Sequence, residues 1–591
     1  MPTADLILLH APTVYDFRQR ATLWGPTSDL VPSEPIFDMY PVGFSTMAAY
    51  LERAGFRTRI ANLAARMVRS RRFDPERLIA RLKGRAFGVD LHWLPHAHGA
   101  LEIARLVKRH HPEAPVIFGG FSASYFHEEL VRYPQVDYVL RGDSTEEPLR
   151  QLMECIVAAD GAADGAANGP AEIRPDDLAQ IPNLTWQAPS GEVCVNPQTY
   201  IPPDLDHLEM DYRQMVRSVV RDLDFLNYVP FSHWIDYPAM AVLTVRGCKH
   251  NCSYCGGSAS ASRLITGRTA PAFRSPEKLA EDMRRMYDVS RGPAFLLGDL
   301  RQAGMDYARR FLRAIEGYPG QGMLEIFTPM SREFAEDLAE ALPNFVIEFS
   351  PESHDPAVRR ALNMNFSNAE IEETIQACMD VGCRRFDLFF MIGLPNQTPQ
   401  SVLEGVEYFE HLLTRFDDGR LMPFVGPLAP FVDPGSLFYE QPDKYGYRIL
   451  CRTLEEHRQA LLAPTWKHIL NYETHWMNRD EIADVTYEAG RRLNAVKARF
   501  GLISPAVAAE TEERINRARS LMTQIDRLIE RCTPEEMERE LLALKPQIDR
   551  ANVSTVCEKT ELDLPFGVTA FNLPQLIKMG IADVVGRLVN R

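Results

Sequence analysis

The stretch AMAVLTVRGCKHNCSYCGG, residues 239–257, joins an apolar run to a loop that contains three cysteines. The apolar run has the length and the branched side chains of a buried strand. Cys248, Cys252 and Cys255 follow it at spacings of four and three residues. Three thiolates in one loop favour a soft metal centre, which is either zinc or an iron-sulfur cluster.

The number of ligands separates these two centres. A structural zinc site is closed by four ligands, and His250 lies inside the loop as a conceivable fourth. Such a ligand set comes more often from two separate segments than from one short loop. A [4Fe-4S] cluster can use three cysteines and leave one iron open for an external ligand. The spacing therefore favours the cluster, and zinc remains the alternative.

Residues 239–446 alternate apolar strand candidates with helical patterns. Six such repeats predict a partial (β/α)6 barrel, two units short of the closed eight-fold barrel. Catalytic groups then gather at the carboxyl ends of the strands. The strand candidates are AMAVLTV (239–245), AFLLGDL (294–300), MLEIFT (323–328), FVIEFS (345–350), RFDLFFMIG (385–393) and LMPFVGPLA (421–429).

Residues 1–157 show a similar alternation, which predicts an α/β domain with a doubly wound, Rossmann-like sheet. Its strand candidates are LILL (6–9), TRIANL (58–63), AFGVDL (86–91), PVIFGG (115–120) and DYVLRG (137–142). Ligands bind at the carboxyl ends of such strands, so Gly119 and Gly120 and the turns after Leu91 and Arg141 mark the mouth of a site. No GxGxxG follows the first strand, so a dinucleotide fingerprint is missing.

The remaining segments are predicted to connect and cover these two units. Residues 158–238 are expected to form a linker and connecting segment. Its first part, AADGAADGAANGPAEIRPDD, is too poor in large apolar side chains to pack. Residues 447–591 have helical periodicity and are predicted to form a mostly helical carboxyl-terminal domain.

The composition limits the classes of function. The chain has 591 residues and a formal net charge of -15, which argues against nucleic acid or an anionic membrane as a partner. No apolar stretch approaches the roughly 20 residues that a membrane-spanning helix needs. The amino terminus has an acidic residue where a signal peptide would be basic, so we expect a cytoplasmic protein. The seven other cysteines have no regular spacing, which argues against a disulfide framework.

The cysteine loop resembles the defining loop of the radical S-adenosylmethionine (SAM) superfamily. The resemblance consists of Cys248-x3-Cys252-x2-Cys255 with an aromatic residue, Tyr254, before the last cysteine. It implies that the three cysteines hold a [4Fe-4S] cluster and that SAM binds the open iron. The ligand missing from the loop is then the co-substrate.

Three other segments resemble the SAM-binding segments of that superfamily. Gly298 and Asp299 stand where the family has Gly-Gly-Glu, and the shorter Asp299 is a departure at the contact with the methionine ammonium of SAM. Ser350 and Glu352 resemble the ribose and carboxylate contacts. Ile392 lies in a segment that resembles the one around adenine. The resemblance implies that all five residues help to bind SAM.

The amino-terminal domain resembles the cobalamin-binding domain of one large radical SAM subfamily. The resemblance implies cobalamin contacts from residues in GGFSASYF and RGDSTEEPL, namely Gly119, Gly120, Ser122 and Gly142. Glycines allow a backbone to approach a corrin ring and its nucleotide tail closely.

Two residues are candidates for the lower face of the cobalt ion. Asp90 and His92 match the start of an Asp-x-His-x-x-Gly motif that ligates cobalt in many cobalamin proteins, but Pro95 replaces the Gly. Arg69 is the candidate for an arginine that opposes this face without ligating it, as the resemblance implies. On the residues alone, His92 is better explained as a polar residue at a strand end, and Arg69 is equally well explained as a solvated charge at a helix end.

The resemblance as a whole is to cobalamin-dependent radical SAM methylases, and most closely to members that methylate C2 of L-tryptophan in thiopeptide antibiotic biosynthesis. It implies a small-molecule substrate, transfer of a methyl group from SAM through methylcobalamin, and an external electron donor. Removal of the indole N–H proton would activate C2. Tyr307, Asp306 and Glu352 lie on predicted strand-end loops, but no base is assigned.

Two alternatives remain open. One is a radical methylase or rearrangement enzyme, in which a 5'-deoxyadenosyl radical attacks another carbon centre. The other is a cobalamin-dependent sensor with a zinc knuckle in place of the cluster.

Overall fold

The computed structural model describes residues 4–28, 30, 34–163, 173–210, 212–552 and 556–562, with short pieces at 571–572, 574–576, 578 and 581. Two sheets with parallel strands dominate these residues, one in each half of the chain, and long helices follow them. The α/β architecture predicted from the strand and helix patterns is confirmed. Within the described residues, no helix combines the length and the apolar composition that crossing a bilayer requires.

The first sheet has seven strands in the order β2-β1-β3-β4-β5-β6-β7. Strands β1 to β5 are parallel, and the order reverses between β1 and β3, as in doubly wound folds. Ligands of such sheets bind at the carboxyl ends of the strands near this reversal. The strands are β1 (Ala4–His10), β2 (Thr58–Asn62), β3 (Gly84–Asp90), β4 (Val116–Gly119), β5 (Tyr138–Leu140), β6 (Leu184–Gln187) and β7 (Val193–Val195).

Helices cover both faces of this sheet. Helix α4 packs in the core on one face, while α1 and α7 pack in the core on the other. The helices of this half are α1 (Val42–Arg53), α2 (Leu63–Arg69), α3 (Pro75–Ile79), α4 (Ala97–His110), α5 (Phe121–Tyr125), α6 (His127–Leu130), α7 (Glu146–Ala163), α8 (Pro175–Ala179) and α9 (Tyr212–Asp222).

The segment predicted as a linker contributes to the first sheet. Strands β6 and β7 form an antiparallel hairpin that extends the sheet beyond β5. Trp186 of β6 is buried there, so this part of residues 158–238 belongs to the core and is more than a connection. The low-complexity stretch begins inside α7, and its residues 164–172 lie outside the described residues. The exact domain boundaries stay predictions.

The second sheet has six parallel strands in the order β8-β11-β12-β13-β14-β15, so that β8 and β15 form its edges. Neighbouring strands follow each other in the chain with helices between them, as in a partial barrel. The strands are β8 (Met240–Leu243), β11 (Ala294–Leu297), β12 (Gly322–Ile326), β13 (Phe345–Glu352), β14 (Arg385–Ile392) and β15 (Leu421–Pro427). The helices are α10 (Ala259–Thr266), α11 (Pro276–Val289), α12 (Met305–Ile315), α13 (Arg332–Ala341), α14 (Pro356–Ala361), α15 (Asn368–Asp380) and α16 (Pro399–Arg415). A short ribbon of β9 (Val245–Arg246) and β10 (Ala272–Phe273) follows the first of these strands.

The carboxyl-terminal region is mostly helical and packs on the barrel. Helix α21 lies against α16 and β15, and its buried face includes Ile482, Ala489 and Leu493. The elements are α17 (Leu437–Glu440), α18 (Pro442–Tyr445), β16 (Tyr447–Ile449), α19 (Leu454–Ala460), α20 (Trp466–Ile469), β17 (Tyr472–Thr474), α21 (Arg479–Arg499), α22 (Pro505–Arg531) and α23 (Pro534–Ala551). This region shares one hydrophobic core with the barrel.

Candidate functional site

The three clustered cysteines lie in the loop that leaves β8 and β9, on the carboxyl side of the first barrel strand. All three are free thiols with partial exposure. Burial raises the pKa of each, and that of Cys252 to about 12. The thiolate forms of these cysteines are therefore stable only near a positive charge. A bound metal centre supplies that charge, since metals bind cysteine as the thiolate.

The spacing of these thiols fits a cluster better than a single ion. One tetrahedral zinc ion holds its sulfur ligands about 3.8 Å apart, given zinc-sulfur bonds of about 2.3 Å. In the described part of the chain, only His10, Asp90 and His92 place three such ligand atoms within 4.8 Å of one another. The cysteine loop and His250 do not meet that spacing. Thiolates on three separate irons of a cube stand farther apart, so the loop fits a [4Fe-4S] cluster.

Polar groups surround the loop at close range. Gln302 Oε1 accepts hydrogen bonds from the Lys249 backbone N–H at 2.9 Å and from Cys248 Sγ at 3.1 Å. The Gly257 backbone N–H donates to Cys255 Sγ at 3.3 Å. These contacts fix the orientation of the loop at two of its three cysteines.

Gly298 and Asp299 lie directly after β11, beside the cysteine loop. Gly298 has a φ of +89°, and a Cβ there would lie 2.8 Å from Val245 Cγ1, so glycine is required. The Asp299 carboxylate accepts hydrogen bonds from the Arg301 side chain at 2.6 and 3.0 Å and from the Phe327 backbone N–H at 3.0 Å. Both carboxylate oxygens are therefore engaged within the protein, and the contact of Asp299 with SAM stays a prediction.

The structure brings Tyr254 and Glu352 together. The Tyr254 hydroxyl donates to Glu352 Oε1 at 2.6 Å, which connects the cysteine loop to the end of β13. Burial raises the pKa of Glu352 to about 8, against the effect of this hydrogen bond. Glu352 has a φ of +67°, where β13 also loses its regular pairing with β14. Such a strained backbone is typical of functional sites.

The two other residues predicted to bind SAM differ in their surroundings. Ser350 is half-buried on β13, in the irregular part of the strand that ends at Glu352. Ile392 is fully buried at the end of β14, and its carbonyl accepts the Leu428 backbone N–H at 2.8 Å. The Ile392 side chain is therefore inaccessible, and a ligand reaches only the residues around it. The roles of both residues in binding SAM stay predictions.

A cavity with about 980 Å³ of empty space, part of it open to solvent, lies between the first sheet and helices α1 and α7 and reaches the barrel. Its lining runs from Leu6 and Leu8 in the middle of β1 to His92 beyond the end of β3. Leu243 and Arg246 of the barrel close the other side. An elongated, mostly apolar cavity at the carboxyl ends of these strands fits cobalamin with its nucleotide tail.

Glycines shape this cavity where the sequence predicts cobalamin contacts. Gly119, Gly120 and Gly142 line it, and the last two have φ values of +113°. A Cβ on Gly120 would lie 2.4 Å from His92 Cα. Ser122 is buried beside a smaller adjoining cavity.

His92 lies in a cluster of histidines under the cavity. Its Nδ1 hydrogen-bonds Asp90 Oδ2 at 2.6 Å, and His10 Nδ1 hydrogen-bonds the same carboxylate at 3.0 Å. Although burial opposes it, the two histidines hold the pKa of Asp90 well below its usual range. The His92 ring makes no hydrogen bond through Nε2 within the described residues. His92 thus has the geometry of a lower-face ligand, and that role stays a prediction.

Arg69 does not reach the cavity in this structure. It is exposed at the end of α2, where its guanidinium donates to the Ser232 carbonyl at 2.9 Å. It is absent from the described lining of the cavity. Of the two residues predicted for the lower face of cobalt, only His92 lines the cavity, and the roles of both stay predictions.

Two ion pairs join the amino-terminal domain to the barrel next to the cysteine loop. Arg246, two residues before Cys248, binds Glu146 at 2.6 Å, and Glu146 is 1% exposed. Arg268 binds Asp143 at 2.7 and 2.8 Å. Both acids belong to the wall of the cobalamin cavity or the loop beside it. These ion pairs therefore fix the position of that cavity relative to the cysteine loop.

Glu146→Gln is expected to destabilise the protein by about 3–5 kcal/mol, because it leaves Arg246 buried without its counter-charge. Burial opposes ionisation of Glu146, yet Arg246 keeps its pKa below the ordinary value. The pair therefore stabilises the fold above the ordinary carboxyl range, and this contribution is lost as the pH falls through the lowered pKa. Urea unfolding measures the effect. Glu277→Gln, in the exposed pair with Arg310, should leave the unfolding midpoint unchanged.

Several polar residues at this site were not predicted from the sequence. Gln302, Glu325 and the pair of Trp93 with Asp433 are examples: Trp93 Nε1 donates to Asp433 Oδ1 at 2.9 Å across the two domains. Burial raises the pKa of Glu325 to about 7 and that of Asp433 to about 6. The one feature of the sequence that could have indicated a polar contact here is Arg246, which stands directly before the Gly-Cys of the loop.

Tyr307 and Asp306 lie on α12, where the Tyr307 hydroxyl donates to the Arg274 carbonyl.

Family models match both halves of this site. Residues 242–409 match the Radical SAM superfamily, and residues 33–151 match the B12 binding domain. A chain with both matches is a cobalamin-binding radical SAM protein. The chain therefore combines a radical SAM domain with a B12-binding domain, as its cysteine loop and glycine-lined cavity predicted, and the cofactors of these domains are a [4Fe-4S] cluster, SAM and cobalamin.

The chain is also similar to individual proteins. It is 24% identical over 304 residues to the hopanoid C-3 methylase of Methylococcus capsulatus, and it spans about half the length of that protein, since the alignment covers 50% of each chain. Among solved structures, it resembles the radical SAM methyltransferase TsrM of Kitasatospora setae with tryptophan and a SAM analogue bound, at 16% identity. The TM-score is 0.55, with 85% of this chain and 90% of that chain covered.

The same TsrM with cobalamin and a [4Fe-4S] cluster gives a TM-score of 0.56 at 15% identity, with 93% of this chain and 99% of that chain covered. At such identities the likeness shows a shared fold.

Proposed function

We propose that this protein transfers a methyl group from SAM to carbon, with C2 of L-tryptophan as the acceptor. The observation that carries the proposal is a cleft with about 520 Å³ of empty space, part of it open to solvent, that borders both cofactor regions. Gly256 and Gly257 of the cysteine loop line it from one side, and His92, Phe121 and Ser122 of the amino-terminal domain line it from the other. A substrate in this cavity meets groups from both domains.

When bound, cobalamin supplies a methyl carrier and the cluster supplies an anchor for SAM. The side chains of the chain itself position these groups and the acceptor. Trp93 and Tyr125 give the cavity aromatic walls, which suit a flat aromatic acceptor. Asp433, whose carboxylate accepts the Trp93 Nε1–H, also lines this cavity. Substitution of a C–H hydrogen by methyl releases one proton, and a carboxylate with a raised pKa is suited to accept it.

The acceptor is proposed on chemical grounds together with the likeness in fold to TsrM, whose structure contains tryptophan. The test is incubation of the reconstituted protein with SAM, methylcobalamin and L-tryptophan. We expect 2-methyltryptophan and S-adenosylhomocysteine by mass spectrometry. If neither forms under turnover conditions, while cluster and cobalamin are both bound, tryptophan is excluded as the acceptor.

A second candidate function is radical methylation of an unactivated carbon. The similarity to a hopanoid C-3 methylase favours it. In that case 5'-deoxyadenosine forms in proportion to the methylated product and an electron donor is required. Methyl transfer without 5'-deoxyadenosine supports the tryptophan proposal instead.

A further inference from the structure

Three histidines and one carboxylate meet at the carboxyl ends of β1 and β3, beside the cobalamin cavity. His10 ends β1, Asp90 ends β3, and His92 and His96 lie in the turn between β3 and α4. His92 is half-buried and the other three are buried. Ligand atoms of His10, Asp90 and His92 lie within 4.8 Å of one another, a spacing that suits a metal ion.

The hydrogen bonds of His10 show that a cation is missing between it and Asp90. His10 Nε2 contacts the Phe37 carbonyl oxygen at 3.1 Å, and because a carbonyl only accepts, this nitrogen carries the hydrogen of a neutral ring. The lone pair on Nδ1 then meets the Asp90 carboxylate oxygens at 3.0 and 3.1 Å. Two acceptors at this distance repel each other, so either a proton or a metal ion must join them.

His96 favours the metal ion over the proton. Its Nδ1 donates to the Ala11 carbonyl at 3.0 Å, which leaves a lone pair on Nε2. This nitrogen is buried and has no hydrogen-bond partner in the part of the chain that the structure describes. The His96 ring lies 4.9 Å from each of the His10 and His92 rings. A proton on His10 leaves the His96 lone pair unsatisfied, which is costly in a buried site, whereas a metal ion can accept it.

We infer that His10 Nδ1, the Asp90 carboxylate, His92 Nδ1 and His96 Nε2 bind a divalent transition-metal ion. Imidazole and carboxylate ligands together suit zinc and its neighbours in the first transition row. The site contains no sulfur, which distinguishes it from the cysteine loop.

The spacing of the ligand atoms needs only small changes to accept the ion. Bonds of about 2.0–2.2 Å hold neighbouring ligand atoms about 3.0–3.5 Å apart. The contacts of His10 with Asp90 already meet this spacing, and the contact of His92 Nδ1 with Asp90, at 2.6 Å, must lengthen by about 0.4 Å. Because an ion on Nδ1 places the ring hydrogen of His92 on Nε2, this site and ligation of cobalt by His92 exclude one another.

The experiment measures zinc binding to the full chain after reconstitution with cluster and cobalamin, so that the cysteine loop is occupied. Two variants each remove one ligand but keep its outer hydrogen bond: His10→Gln retains a donor for the Phe37 carbonyl, and His96→Asn retains one for the Ala11 carbonyl. His98→Asn is the matched control, since His98 Nδ1 accepts the Tyr15 backbone N–H at 3.3 Å and asparagine offers an acceptor there. Elemental analysis gives zinc per chain, and zinc X-ray absorption identifies the ligand atoms.

For the wild-type protein, we expect about one zinc per chain, with nitrogen and oxygen at about 2.0–2.2 Å and no sulfur at about 2.3 Å. His10→Gln and His96→Asn should each weaken zinc binding more than about tenfold, since loss of even an outer partner of a ligand costs about 10–100-fold. His98→Asn should bind zinc like the wild type. Zinc should also raise the thermal unfolding midpoint of the wild type and the control, because it binds the folded state.

The inference is overturned if the wild type binds no zinc, if the bound zinc has sulfur ligands, or if both ligand variants bind zinc as the control does. If neither ligand variant folds, the wild-type absorption spectrum decides: a shell of imidazole and carboxylate without sulfur supports the site, and any other shell overturns it. None of these measurements depends on methyl transfer, so failure of the proposed function would leave them unchanged.

Discussion

Cys252→Ala is expected to remove the iron-sulfur cluster and to reduce methyl transfer below detection. The loop offers three thiolates, and each is needed because the fourth iron is reserved for an external ligand. After reconstitution, bound iron and sulfide should fall by more than about tenfold, since a metal site that loses a ligand loses most of its affinity. Metal and sulfide analysis with visible absorbance measures this directly.

Cys194→Ser is the control for this prediction. Cys194 is a partly exposed free thiol on β7, far along the chain from the loop, and its replacement should leave iron and sulfide unchanged. A Cys252→Ala protein that keeps its full iron and sulfide would contradict the cluster assignment. Stoichiometric zinc without sulfide in the wild-type protein would favour the knuckle alternative.

The sequence predicted the parts of the fold that repeat. Buried parallel strands are continuous apolar runs, so segments such as PVIFGG and RFDLFFMIG could be located within a few residues. Strands β6 and β7 were missed because they are short, antiparallel and close to a low-complexity stretch. Their contribution to the first sheet depends on pairing with β5, which no local pattern shows.

The site was predictable where a motif is local, and not where distant segments meet. The cysteine spacing identifies three ligands within one loop. In contrast, the pair of Arg246 and Glu146 joins residues that are 100 positions apart. Arg69 was chosen by resemblance alone, and because a motif does not determine the direction of a side chain, its role stays a prediction. Asp299 stands at the position of the motif's Glu but is shorter, and Arg301, two residues later, hydrogen-bonds its carboxylate, which the motif does not show.

Gly120→Ala is expected to destabilise the amino-terminal domain and to impair cobalamin binding. The added methyl group would lie 2.4 Å from His92 Cα and 2.8 Å from the Leu91 carbonyl carbon, both backbone atoms that cannot rotate away. The φ of +113° adds strain for any side chain. Strain and overpacking together predict a loss of about 2–5 kcal/mol. Any relief moves His92 and thereby the wall of the cavity.

Gly55→Ala separates these two causes. Gly55 has a φ of +90°, but a Cβ there would have no atom within 4 Å, so only backbone strain is added. Gly55→Ala should therefore lower stability by about 1–2 kcal/mol and retain cobalamin after desalting. In Gly120→Ala, cobalamin binding should weaken by at least about tenfold, which corresponds to about 1.4 kcal/mol. If the two variants bind cobalamin equally well in absorbance titrations, the turn at Gly120 does not form part of the cobalamin site.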